Sequence, residues 1–355
     1  MSRALICGSL AFDTIMVFQD QFKNHILPDK VHILNVSFFV PRMRREFGGC
    51  AGNIAYNLNL LGGKPLPMAT VGQDFETYRE HFEQCGIPLT HVKVVPDLYT
   101  AQAFITTDLD DNQITAFHPG AMMRSYENHV KDVSDVGFGI VGPDSYEAML
   151  QNCAEFAECG IPFIFDPGQA MPLYNGDELK RMIEQATYVT VNDYESSLMS
   201  DKTGWSTKDI TERVQGYIIT RGDKGSEIHS ASGTQLIPAA NAIRVVDPTG
   251  CGDAYRAGLI YGLMNGMDMA TSGRIASLMG ALKIENLGPQ NQRFTYQQFA
   301  MQFKQQFGYA LASSKPHPKK NPGKIELHPK SWTSRPTPKV QFSCPNTASL
   351  LSLRS

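Results

Sequence analysis

The chain has no Cys-x-x-Cys pair. Its seven cysteines are scattered and odd in number, so neither a disulfide framework nor a zinc site is indicated, and a reducing cytoplasm fits. No apolar run approaches the length needed to cross a bilayer. A net charge of -3 gives no hold on nucleic acid or on a membrane surface. The phosphate-binding string Gly-x-x-x-x-Gly-Lys-Ser/Thr is missing, and the Gly-x-Gly that opens a helix late in the chain lacks the third glycine of the dinucleotide fingerprint. Residues 331–355 carry no acidic side chain, and prolines 316, 318, 322, 329, 336 and 338 crowd among lysines without periodicity. That end reads as a disordered, mildly basic tail over 313–355. The apolar stretch from Ala4 to Phe18 is broken by Gly8, Ser9 and Asp13 and follows a single basic residue, Arg3. It reads as a first strand rather than a leader. What remains, 355 residues at 42% hydrophobic, is ample for one large domain or two small ones.

Against these absences stands one stretch dense in information, Val246-Asp247-Pro248-Thr249-Gly250-Cys251-Gly252-Asp253-Ala254-Tyr255-Arg256-Ala257-Gly258-Leu259. Val245 and Val246 close an apolar run that reads as a strand, and Pro248 with two glycines breaks it. From Asp253 onward, Ala254, Ala257, Gly258 and Tyr261 recur at helical spacing and give a close-packing face. A Gly-rich turn opening onto a helix aims unpaired N–H groups and the positive end of the helix dipole at one spot, which suits phosphate. A plain turn is the competing reading. Asp253 argues against it, since an acid at the mouth of a phosphate site needs a reason, and a general base beside a reacting phosphoryl group supplies one.

The rest of the chain has a βα rhythm with an interruption. Residues 4–8 form a short buried strand, and Asp13 lies beyond its carboxyl end, where open α/β sheets bind ligands. Residues 16–47, with Val31-His32-Ile33 and Val36-Ser37-Phe38-Phe39-Val40, look like strands of an accessory sheet, and so does the hairpin within 92–118. Phe117 in that hairpin reads first as core and second as a stacking surface. Gly48-Gly49-Cys50-Ala51-Gly52-Asn53 is a second Gly-rich turn feeding a helix that ends at Gly62. From 137 onward strands at 137–142, 161–167, 188–192 and 216–222 alternate with helices, implying a parallel sheet covered on both faces, with a hairpin over 226–239 at its edge. Asn192 and Glu195, three apart at a helix start and facing the same way, read by themselves as a capping box.

The two Gly-rich strings, with Val71-Gly72-Gln73-Asp74 between them, resemble the N- and C-terminal signatures of the PfkB (ribokinase-like) family of sugar and nucleoside kinases over about residues 3–311. Cys251 stands where that signature usually has Ala or Gly. The resemblance implies a ribokinase-like α/β fold over 1–312: a central, mostly parallel sheet flanked by helices, with a small β-sheet lid from strands within about 14–47 and 92–118. It implies ATP and Mg²⁺ as cofactors. Asp253 would be the base, with the N–H groups of Gly250, Cys251, Gly252 and Asp253 holding the transferred phosphoryl. Asp13, Gly48, Gly49 and Asn53 would grip the sugar, and Asn192 and Glu195 would organise the metal through water. Thr220, Gly222 and Gly225 would lie along ATP and Asn286 beside its base, while Arg256 would help with phosphate or pack against the lid. Some members are activated by K⁺, whose place would be the loop around Asp247 and Thr249.

Ribokinase-type members usually carry a Lys where this chain has Cys50, and the wording looks most like bacterial adenosine kinases. The expected reaction is therefore adenosine phosphorylated at its 5′-hydroxyl to AMP. A ribose, fructose or other nucleoside kinase is the alternative, and a catalytically silent nucleoside-binding module is a further one. The expected partners are the nucleoside or sugar and ATP, with neither nucleic acid nor membrane, in a monomer or a homodimer paired through the lid.

Overall fold

The computed structural model describes residues 2–26, 35–110 and 112–311. The strands run in chain order β1 (Arg3–Cys7), β2 (Ala11–Val17), β3 (Arg42–Gly48), β4 (Pro65–Val71), β5 (His91–Val94), β6 (Ala101–Thr107) and β7 (Gln113–His118). They continue with β8 (Val136–Val141), β9 (Phe163–Phe165), β10 (Tyr188–Asn192), β11 (Gly216–Thr220), β12 (Ser226–Ser230) and β13 (Gly233–Ile237). The helices are α1 (Cys50–Leu60), α2 (Glu76–Cys85), α3 (Tyr146–Glu158), α4 (Gly176–Gln185) and α5 (Asp193–Thr203). Then come α6 (Thr207–Thr211), α7 (Cys251–Met264), α8 (Met269–Ile284) and α9 (Tyr296–Phe307).

Nine strands form one sheet in the order β13-β12-β11-β10-β9-β8-β1-β4-β5. It is parallel from β5 to β11, and the hairpin β12–β13 adds its antiparallel edge. Strands covered on both faces have to be apolar where they are covered, and β1 is so from its second residue on: Ala4, Leu5, Ile6 and Cys7 are all buried. One core layer packs α1, α2, α7, α8 and α9 against the sheet, and the other is built from α3, α4 and α5. Gly258 is what lets α7 approach α8, because a Cβ there would lie 2.6 Å from the Ala276 Cα. The small-residue face read from the sequence is this contact. Among the described residues no helix is long and apolar enough to cross a membrane.

A separate four-stranded sheet, β3-β2-β6-β7, forms the lid. Its inner pair β2–β6 is parallel and the other two pairs are antiparallel. The structure corrects several expectations. Asp13 sits on lid strand β2, opposite Glu46, rather than in a loop after β1. Val36 to Val40 carry no strand, and Val31-His32-Ile33 lie outside the described residues, as does the tail beyond 311. His91–Val94 pairs with β4 at the edge of the main sheet, so only the hairpin of the 92–118 region belongs to the lid. Val245 and Val246 form no strand. The Val246 and Asp247 N–H groups both donate to the Ile284 carbonyl at the end of α8, so this segment is held by a helix terminus and leaves its valines exposed.

Candidate active site

Two glycine turns meet at the site. Gly49 caps α1 with φ 83°, and a Cβ there would lie 2.5 Å from the Ser9 carbonyl, so position and conformation both require glycine. Ser9 closes that helix end: its carbonyl accepts from Ala51 N–H at 3.0 Å and its hydroxyl from Cys50 N–H at 3.3 Å. Gly250 caps α7 with φ 78°. In this second turn the Cys251 N–H is turned back to the Pro248 carbonyl at 3.1 Å, but among the described residues no acceptor takes the Gly252 or Asp253 N–H. The α7 terminus is therefore the open one, with two donors and the helix dipole aimed into a cavity.

That cavity, about 950 Å³, runs between the lid and the carboxyl ends of the main strands. It is lined by Asp13, Gly49, Asn53, Asn192, Glu195, Thr220, Gly222, Gly250, Gly252 and Asp253, so most of the residues singled out from the sequence come together around one space. Four do not line it. Gly48 lies against the Asp13 carboxylate, and its carbonyl accepts from the Tyr78 hydroxyl at 2.7 Å. Cys251 faces the Asp247 carbonyl behind the turn. Gly225 is packed on the Ile237 carbonyl at the start of the edge hairpin. Asn286 faces a separate groove with Arg244 and Gln302, and its amide donates to the Leu282 carbonyl. Phe117 belongs to the cavity wall rather than to a lid core, with half its surface exposed.

The floor of the cavity is charged. Arg256 pairs with Asp166 through Nη2–Oδ1 at 2.7 Å and through Nε, with both residues buried. It thus braces the α7 turn against β9 rather than packing on the lid. Burial raises the Asp253 carboxyl to about 7; Asp166 and Asp13 add to the rise, while the Asn53 amide and Arg256 oppose it. Asp13 is raised to about 6, by burial first and then by Glu46 and Asp247. Cys50 is held between the Ser9 hydroxyl and the Pro143 carbonyl, each 3.2 Å away, and burial pushes its thiol up to about 12. It faces the cavity as a neutral, weakly polar group.

Asp253 is also held from behind by a chain of amides. Asn53 Nδ2 donates to Asp253 Oδ2 at 2.8 Å. Gln290 Nε2 donates to Asn53 Oδ1 at 3.0 Å and to the Tyr78 hydroxyl at 2.7 Å, while Gln290 Oε1 pairs with His81 Nε2 at 3.0 Å. Because Gln290 fixes Asn53 Oδ1 as the acceptor, Asn53 must turn its NH₂ to the base. Sequence reasoning missed Asp166, although it follows a strand end just as the rule applied to Asp13 demands. Gln290 carried no signal of its own.

Asn192 and Glu195 form a capping box at the start of α5: Glu195 N–H donates to Asn192 Oδ1 at 2.7 Å and Asn192 N–H to Glu195 Oε2 at 2.8 Å. Both also line the cavity. Burial, then Asp166, raises the Glu195 carboxyl. Among the described residues no three His, Cys, Asp or Glu side chains gather as a metal cage. One carboxylate with a free oxygen, crowded by another acid, fits instead a magnesium ion that arrives on nucleotide phosphates and is met through water.

A parallel sheet under a lid, with an acid beside an open helix N-terminus, defines a phosphotransferase of ribokinase-like fold. The chain belongs to the PfkB family of carbohydrate kinases, whose model matches residues 22–294. It is 32% identical over 262 residues to a nucleoside kinase of Methanocaldococcus jannaschii, covering 72% of this chain and 85% of that protein. The nucleoside kinase of Burkholderia thailandensis, solved in complex with inosine, is 55% identical, with a TM-score of 0.80 over 86% of this chain and 99% of that one. The ribokinase of Thermotoga maritima, at 22% identity and a TM-score of 0.72, shares the fold.

Proposed function

We propose that the protein transfers the γ-phosphoryl group of ATP to the 5′-hydroxyl of a purine nucleoside, with adenosine giving AMP as the leading reaction. One observation carries this reading. One cavity is lined by Asp253 together with Asp13, Gly49 and Asn53, from the lid and the start of α1, and with Asn192, Glu195, Thr220 and Gly222, at the ends of β10 and β11, which β9 and β8 separate from β1 in the sheet. A hydroxyl donor and a phosphoryl donor could therefore meet at the base from opposite sides. Asp253 accepts the hydroxyl proton as attack occurs, and a carboxyl raised to about 7 is well matched to that task near neutral pH. The Gly252 and Asp253 N–H groups receive the transferring oxygens. Asp13 and the remaining Asn53 amide hydrogen hold the ribose hydroxyls. Magnesium, when bound with ATP, neutralises phosphate charge. Asn192 and Glu195 would hold that ion, and the lid strands exclude bulk water.

Inosine is the second acceptor, favoured by the relative from Burkholderia thailandensis, which has also been solved in an ADP-inosine complex. The neutral Cys50 thiol at the nucleoside end supports a nucleoside over a small polar sugar. The test is ADP release from Mg-ATP with adenosine, inosine, ribose and fructose offered in turn. Preference for a nucleoside by kcat/KM supports the reading. Preference for ribose or fructose keeps the mechanism and removes the acceptor. Adenosine binding without turnover of any of the four would leave a silent binding module.

A further inference from the structure

The loop that leads into the open turn of α7 is held from below by a lysine. Lys283, in the last turn of α8, is fully buried, a rare condition for this side chain. Its Nζ donates to the Asp247 carbonyl at 2.8 Å and to the Asn286 carbonyl at 3.1 Å. Burial lowers its pKa, and Cys251, Asp247 and Glu46 act against that fall. No carboxylate bonds the ammonium directly among the described residues. Its partners are backbone carbonyls, the neutral oxygen donors that replace the hydration shell of a monovalent cation.

The surroundings are built to hold this point still. Asp247 Oδ1 accepts from Thr249 N–H at 2.9 Å and Oδ2 from Gly288 N–H at 2.8 Å, while the Val246 and Asp247 N–H groups converge on Ile284 O. Two chain segments thus cross with a positive charge between them, three residues before the Gly250 cap. This is the loop at which a free potassium ion was expected from the sequence. Potassium does not fit there while two of the carbonyls are already bonded to an ammonium.

We infer that Lys283 is a tethered cation that takes the place of a free monovalent ion beneath the anion-binding turn, so that phosphoryl transfer by this protein is independent of potassium. The ammonium fixes the Asp247 and Asn286 carbonyls, and with them the direction in which the Gly252 and Asp253 N–H groups point. The kinetic consequence rests on the phosphoryl-transfer reading proposed above, whereas the ion's effect on stability does not.

The test uses the full chain in a tetramethylammonium buffer, with product nucleotide read by chromatography and unfolding followed thermally. Adding K⁺, Na⁺ or NH₄⁺ should change wild-type turnover by less than about twofold and leave its midpoint in place. Lys283→Met ends one atom short of Nζ and leaves that position open. Its turnover should fall roughly tenfold or more without small cations and recover, saturably, with K⁺ or NH₄⁺, because a displaced turn loses transition-state donors. Its unfolding midpoint should rise with the same two ions. A wild-type turnover that climbs severalfold with K⁺ overturns the inference, and so does a folded variant that no ion restores. Should the variant not fold, the wild-type ion response decides alone. Should the wild type turn over no acceptor in any salt, phosphoryl transfer fails as a reading, and the ion dependence of the two midpoints still decides the lysine's role.

Discussion

The helices α1 and α7 begin alike and end up opposite in use. Each is capped by a glycine of positive φ without a side-chain cap, and they pack on each other. In α1 the first N–H groups are taken by Ser9, and Cys50 to Leu58 are buried without interruption. In α7 the N–H groups of Gly252 and Asp253 are free of protein acceptors among the described residues, and Gly252 is exposed. A Gly-rich turn before a helix is therefore an anion site only when no neighbouring loop closes it. The closed turn still contributes, because it fixes Asn53, and Asn53 fixes the base of the open one.

The largest break in this comparison is Asp253→Asn. Turnover should fall by about 10²–10⁴-fold while nucleoside affinity, measured calorimetrically, changes little, since only proton transfer is removed. In the wild type, kcat/KM should decline as pH falls through about 7, where the raised carboxyl takes up its proton. Stability carries the opposite sign. A raised acid contributes stability that is complete below its ordinary value of 3.8 and lost as pH rises through about 7. The Asn variant should therefore melt later than the wild type by a few degrees near pH 8 and no later near pH 4, to an extent set by roughly 1–2 °C per kcal/mol for a chain of more than about 300 residues.

Arg256→Met comes next. It leaves Asp166 buried without its partner and should lower unfolding free energy by about 3–5 kcal/mol in urea titration. Equal stability would mean that Asp166 finds water from the cavity. Gln290→Leu tests the closed turn. Without the donor to its Oδ1, Asn53 can turn that oxygen toward Asp253, which favours the protonated acid. The expected result is a several-fold loss of kcat with the acid limb of the pH profile moved upward, consistent with about 1–3 kcal/mol for an orphaned buried amide. A drop in kcat with an unmoved limb would make Gln290 a packing residue. Smallest is Cys251→Ala, expected within about twofold of wild-type kcat, because this residue lies behind the turn and its N–H is already bonded to Pro248.

What could be read from the sequence was local. The βα rhythm, both glycine turns, the close-packing face of α7 and the capping box at Asn192 each lie within a few residues. The cavity also gathers Asp13, Asn53, Asn192, Glu195, Thr220, Gly222 and Asp253, read as single positions or from resemblance. What escaped depends on partners far apart in the chain. Arg256 finds Asp166 ninety positions away, Gln290 reaches Asn53 across 237, and Lys283 meets Asp247 across 36. Val245 and Val246 had strand composition, but the end of α8 already held the backbone beside them. Asn286, just past the end of α8, faces a groove apart from the cavity, with its amide bonded to Leu282.

Asp74 sets the mechanics of the lid. It follows β4 of the main sheet, and its Oδ1 accepts from Thr100 N–H at 2.7 Å just before β6, while Oδ2 accepts from Gln102 on β6 at 2.9 Å and lies 3.5 Å from Arg45 on β3. One carboxylate thus grips both neighbours of β2 at once. Glu46 of the same β3 accepts from Asn291 at 2.8 Å, and the Gly48 carbonyl at its end accepts from Tyr78, so the strand that faces Asp13 is fastened to the main domain along its length.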